Sequence, residues 1–137
     1  MNVYDLINLK DRVAIVTGAS RVLGQAFTVA LAEAGTKLCI TSLHGSEFAE
    51  MSGEIKRLGR EFLALESDIN NEAQMVSMVN ETVKKFGRID ILVNNAASLR
   101  IDKAPEGTTL AEWKSAMELN INGVFLCSRE AAEVMKK

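Results

Sequence analysis

Residues 13–16, Val-Ala-Ile-Val, form an unbroken apolar run rich in β-branched side chains, as expected of a strand buried on both faces. Thr17-Gly18 breaks the run. Apolar residues then return at Leu23, Ala26, Phe27, Ala30, Leu31 and Ala34, the spacing of one helix face, and Gly35 stops the helix. The pattern of strand, turn and helix recurs down the chain. Residues 37–41 read as a second strand, followed by a helix capped by Ser46 or a neighbour, with an apolar face of Phe48, Met51, Ile55 and Leu58 and an end at Gly59. Residues 61–66 make a third strand, broken at Ser67-Asp68. A longer helix carries Met75 or Val76, Val79, Val83 and Phe86 and ends at Gly87. Residues 89–93 make a fourth strand, apolar apart from Asp90, that stops at Asn94-Asn95. A loop with Pro105 and Gly107 leads to Thr109, which caps a long helix with Trp113, Met117, Ile121, Val124 and Met135 along one stripe. Residues 1–11 form a lead-in whose Leu6, Ile7 and Leu9 can pack on the body.

Four strands alternating with four helices predict an α/β fold with right-handed crossovers and a parallel sheet. The expected strand order is 3-2-1-4, with a ligand crevice between strands 1 and 4, where the order reverses. Thr17-Gly18, Ser67-Asp68 and Asn94-Asn95 all fall at carboxyl ends of strands and should gather there. The first turn also points the free N–H groups of its helix at whatever lies above the strand, which favours an anion such as phosphate. By itself it could equally be an ordinary strand-to-helix turn.

At 137 residues the chain is one domain's worth. A net charge of −2 gives no reason to expect nucleic acid. Cys39 and Cys127 lie far apart in apolar surroundings and read as buried, reduced thiols, and the lone His44 has no partner at ligand spacing, so no metal site is expected. No leader pattern or membrane-length apolar segment occurs, so a cytoplasmic protein without membrane contact is expected.

The turn lacks the Gly-Lys-Ser/Thr of a P-loop and the usual G-x-G-x-x-G spacing. Thr17, Gly18 and Gly24 instead resemble the Thr-Gly-x-x-x-Gly-x-Gly turn of the short-chain dehydrogenase/reductase family, with Val22 in place of its middle glycine. Asn94-Asn95-Ala96-Ala97 resembles the family's Asn-Asn-Ala-Gly, and Asn120 in Glu-Leu-Asn-Ile-Asn-Gly resembles its helix asparagine. The resemblance implies a Rossmann-like, doubly wound sheet that binds a dinucleotide through Thr17, Gly18, Ser20, Arg21, Val22, Leu23, Gly24, Ser42, Asp68, Ile69, Asn94, Asn95 and Ala96. Asp68 and Ile69 would receive the adenine ring, although Asp68 alone could be a helix N-cap. The Asn94-Asn95 amides would tie strand ends together, where a plain Asx turn is the alternative. Asn120 would hold a catalytic water through its carbonyl. An asparagine in mid-helix close to Gly123 suggests a bend or bulge, where the alternative is a solvent-facing side chain.

Two residues bear on the choice of cofactor. NAD-selecting relatives carry an acid at the end of strand 2, where this chain has the neutral Ser42, and NADP-preferring ones often place a base where Arg21 stands. The pair leans to NADP over NAD, unless Arg21 is a solvated turn residue. Val22 should weaken binding, because the glycine it replaces lets the backbone approach the cofactor in a conformation that β-branched residues avoid.

Family members continue through a catalytic serine and a Tyr-x-x-x-Lys helix. Neither is in these 137 residues, and Tyr4, the one tyrosine, is no substitute. The resemblance therefore implies a partial NAD(P)-binding domain over residues 1–137, truncated after its fourth strand-helix unit and inactive alone. The complete enzyme would act on a small hydroxyl or carbonyl compound, a sugar acid or ketoacyl substrate, and would form a homo-oligomer through the helix of residues 109–136. A non-catalytic dinucleotide-binding or interaction module is the alternative.

Overall fold

The computed structural model describes residues 6–97 and 103–137; the start of the lead-in, Tyr4 included, and residues 98–102 lie outside them. Four parallel strands, β1 (Val13–Val16), β2 (Lys37–Ser42), β3 (Phe62–Glu66) and β4 (Ile91–Val93), form one sheet in the order β3-β2-β1-β4. β1 is central, and its four residues are fully buried. Its register sets Ala14 beside Leu38 and Ile91, and Val16 beside Ile40 and Val93.

The two-residue period of the strands sorts the core into two layers. Ala14, Val16, Leu38 and Ile40 face α1 (Val22–Glu33) and α2 (Phe48–Arg57), packing with Ala32, Met51 and Ile55. Ile15 and Cys39 face α3 (Glu72–Phe86) and α5 (Val124–Met135), packing with Met75, Met78, Val79 and Cys127. Met75, rather than Val76, is the residue that α3 buries. Burial pushes the Cys39 and Cys127 thiols up to about 11, so both are inert core side chains.

Two expectations about helix faces need correction. In α1 the buried residues are Gly24, Thr28 and Ala32, whereas Leu23 and Phe27 are exposed. The helix sits so close to the strands that only small side chains fit beneath it. The apolar stripe read from the sequence lies on its flank instead, where Phe27, Ala30, Leu31 and Ala34 form an open groove with Ile7, Leu9 and Val93. The long C-terminal helix likewise buries Ala116, Gly123, Cys127 and Ala131 and turns Trp113, Ile121 and Met135 outward. Small residues again set a close approach, here to α3, where Cys127 Sγ lies 3.1 Å from Met75 Sδ.

Ser46 does not cap α2, because a 3-10 turn, Gly45–Glu47, intervenes and Glu47 takes the N-cap position. Of the lead-in, Leu9 donates its N–H to the Ala34 carbonyl, while Leu6 and Ile7 are largely exposed. β4 starts two residues later than expected, because Asp90 serves as an anchor. Its carboxylate accepts from the Val13 N–H and the Arg12 guanidinium, both at 2.9 Å. Thr109 caps α4 (Leu110–Met117) in a reciprocal capping box with Glu112. Among the described residues no helix is long and apolar enough to cross a membrane.

Candidate functional site

The carboxyl ends of β1 and β4 are bonded together through two side chains. Buried Thr17 uses its hydroxyl fully: Oγ1 donates to the Val93 carbonyl at 3.4 Å and accepts the N–H groups of Asn95 and Ala96, both at 3.1 Å. Asn95 Nδ2 in turn donates to the carbonyls of Thr17 (3.1 Å) and Gly18 (2.9 Å). The expected tie between strand ends is therefore made by Asn95. Asn94 reaches the other way, its Nδ2 donating to Ser128 Oγ on α5 at 3.0 Å.

Two glycines allow the turn to close on this lock. Gly18 has φ +63°, and a Cβ there would stand 2.8 Å from Ala96 Cα. A Cβ on Gly24 would come within 2.1 Å of the Gly18 carbonyl oxygen. Gln25, which the sequence pattern did not single out, steadies the turn through a 2.9 Å bond from Nε2 to the Ser20 carbonyl.

Above the lock, α1 opens without a cap. Arg21 at its N-cap makes no side-chain capping bond to the helix, and the first turn contains no acid. The start of α1 is therefore left uncapped, with the positive end of the helix dipole just after the carboxyl end of β1, an arrangement that fits the pyrophosphate of a dinucleotide. Val22 sits at φ +26°, one of two non-glycine residues with positive φ among those described, and is 83% exposed at the mouth of the turn. Such a conformation is strained for a β-branched residue. Val22→Gly is expected to tighten dinucleotide binding severalfold while leaving stability within about 1 kcal/mol, since relief of strain is offset by the freer unfolded chain. Calorimetric titration of both proteins checks this; equal affinities would mean that Val22 is no obstacle.

The remaining site residues form a second and a third group. Ser20, Ser42 and Arg21 converge on Glu47, which no sequence pattern indicated. Ser20 Oγ donates to Glu47 Oε2 at 2.7 Å, Ser42 Oγ bonds the same oxygen, and Arg21 Nη2 pairs with Oε1 at 2.9 Å. Ser20 and Ser42 are 2.9 Å apart. These bonds, that from Ser42 first, hold the Glu47 carboxyl down at about 2. Glu47 lies five residues past the end of β2 in a turn whose Gly45 N–H is held by Glu66 Oε2 at 2.7 Å. Nothing in periodicity or motif spacing marks such a residue.

Asp68 closes an Asx turn, its Oδ1 accepting the Asn70 N–H at 2.9 Å, while the cap of α3 is Asn71, accepting from the Gln74 N–H. The alternative role of Asp68 as that helix's N-cap is thereby excluded. Ile69 is buried against Gly123, where a Cβ would stand 2.6 Å from Ile69 Cδ1. Gly123 ends a π-helical stretch, Glu118–Gly123, between α4 and α5. Half-buried Asn120 lies within it, so the expected bulge is present at the expected residue. Of the exposed residues in this region, Asn122 donates to Glu118 at 2.9 Å.

Residues 12–137 match the family model described as short chain dehydrogenase. The chain is 37% identical over 130 residues to a 3-oxoacyl-[acyl-carrier-protein] reductase of Synechocystis, covering 94% of this chain and 52% of the relative. It is 36% identical to a 2-dehydro-3-deoxy-D-gluconate 5-dehydrogenase of Dickeya dadantii, covering 95% and 50%. A short-chain type dehydrogenase/reductase from Mycobacterium marinum superposes with a TM-score of 0.93 at 31% identity, over 98% of this chain and 54% of that one. The chain spans about half the length of the curated relatives it matches. On its sheet order, its glycine turn and these matches, the chain belongs to the short-chain dehydrogenase family.

Proposed function

We propose that this chain is the adenosine-binding half of an NAD(P)-dependent oxidoreductase acting on a small hydroxyl or carbonyl substrate. The observation that carries the reading is the Thr17–Asn95 lock beneath the uncapped N-terminus of α1. It joins the ends of β1 and β4, the point where the strand order reverses, and that position supports a dinucleotide site there. A nicotinamide dinucleotide bound there supplies or accepts the hydride. Residues 18–24 hold its phosphates, Asp68 and Ile69 its adenine, and Asn94 to Ala96 form the floor under its ribose. Asn120, on the π stretch, holds a water for the proton relay through its carbonyl.

The names of the relatives favour a ketoacyl or sugar-acid substrate. The choice between NADP and NAD turns on Arg21, which favours the former, and on its partner Glu47. β4 pairs only with β1 among the described residues, and beside it lies the groove of Phe27, Leu31 and Val93. Both are surfaces on which further chain would pack, and the complete enzyme would be a cytoplasmic homo-oligomer joined through residues 109–136, where Leu110, Trp113, Ile121 and Phe125 stand exposed.

A second reading, a dinucleotide-binding module without catalysis, is favoured by Val22 alone. Titration with NAD(H) and NADP(H) tests both readings. Saturable binding is expected; its absence would overturn both, and binding without hydride transfer in a protein that carries the serine and Tyr-x-x-x-Lys would favour the second.

A further inference from the structure

At the end of β2 the sequence offers only a neutral hydroxyl, yet in the fold a carboxylate stands there. Glu47 comes back from the 3-10 turn after β2 and bonds Ser42 and Ser20 through one oxygen and Arg21 through the other. Its side chain is only 25% exposed, against 78% for Arg21. The two serines join the glycine turn to the end of β2, so the acid lies at the junction between them. Arg21, the cation that pointed towards a 2′-phosphate, is already engaged.

From this geometry we infer that Glu47 is the residue that sets cofactor choice, selecting a dinucleotide whose adenosine ribose carries a free 2′-hydroxyl. The inference rests on the dinucleotide reading above. A ribose hydroxyl can donate to the carboxylate in a charge-assisted bond. A 2′-phosphate, carrying between one and two negative charges at neutral pH, would be set against a fixed anion and would have to draw Arg21 away from it. Like-charge juxtaposition of this kind discriminates by repulsion as much as by attraction. The preference is thus for NAD, the reverse of the one suggested by Ser42 and Arg21 read without their partner. Glu47 also occupies the N-cap position of α2, where an acid is favoured by the helix dipole. That role alone would affect stability and not the ratio of the two cofactors.

The test is calorimetric titration of NAD⁺ and NADP⁺ into the wild-type chain, Glu47→Gln, Glu47→Ala, and Glu47→Gln combined with Arg21→Ala, with thermal unfolding to show that each is folded. The wild type is expected to favour NAD⁺. Both single variants should shift the ratio towards NADP⁺ by about tenfold, a common scale for one charge contact in a recognition site, and Arg21→Ala should remove most of that gain. A wild-type preference for NADP⁺, or a ratio unchanged in folded Glu47→Gln and Glu47→Ala, would overturn this inference and leave the dinucleotide reading standing. Failure of either nucleotide to bind any of the four proteins would overturn both.

Discussion

Gly24→Ala is expected to lower the unfolding free energy by about 3 kcal/mol or more and to abolish measurable dinucleotide binding. Overpacking of a core by a methyl group usually costs about 1–3 kcal/mol, and the upper end applies where the obstruction is backbone that cannot rotate away. Here the added Cβ would meet the Gly18 carbonyl oxygen at 2.1 Å and Ala19 Cα at 2.9 Å, both main-chain atoms of the same turn, with Asn95 Nδ2 at 2.8 Å. Relief requires α1 to move away from the strand ends, which breaks the bonds from Asn95 to Thr17 and Gly18. Chemical denaturation gives the stability and calorimetry the binding. An alanine variant that unfolds within about 0.5 kcal/mol of wild type and binds equally well would show that the turn adapts, a result at odds with a close-packed interior.

Thr17→Val keeps the shape of a buried side chain and removes only its hydroxyl. The Asn95 N–H retains a second acceptor, the Val93 carbonyl at 3.1 Å, but the Ala96 N–H loses the acceptor it has. A buried donor left unpaired costs about 1–3 kcal/mol, and the variant should be destabilised by about 2 kcal/mol. The backbone of residues 94–96 should loosen as well, so binding should weaken further than stability alone explains. Thr17→Ser, which restores the hydroxyl, is expected to recover most of both. If valine and serine behave alike in denaturation, the hydroxyl is not what joins the two strand ends.

The sheet order and the turn positions were legible because buried strands and glycine stops leave strong local signals, and because β1 and β2 are apolar on both faces. The bulge at Asn120 was legible too, as an unfavourable residue in the middle of a helix close to a glycine. The buried faces of α1 and the C-terminal helix were not. Hydrophobic spacing marks large apolar residues, whereas these helices approach their neighbours through Gly24, Thr28, Ala32, Gly123, Cys127 and Ala131, whose role depends on distance and not on hydropathy. Glu47 was hidden for another reason. It is brought to Ser20 and Ser42 by a turn whose direction is fixed by a bond from Gly45 to Glu66, a contact between segments far apart in sequence.

Backbone amide NMR during titration with a nicotinamide dinucleotide tests the central claim most directly, since it reads each proposed contact separately. The account predicts that the largest shifts fall on residues 18–24, on Asp68 and Ile69, and on Asn94 to Ala96, with the face of α2 away from the crevice unaffected. Shifts absent at saturating nucleotide, or confined to residues away from the carboxyl ends of β1, β3 and β4, would contradict it.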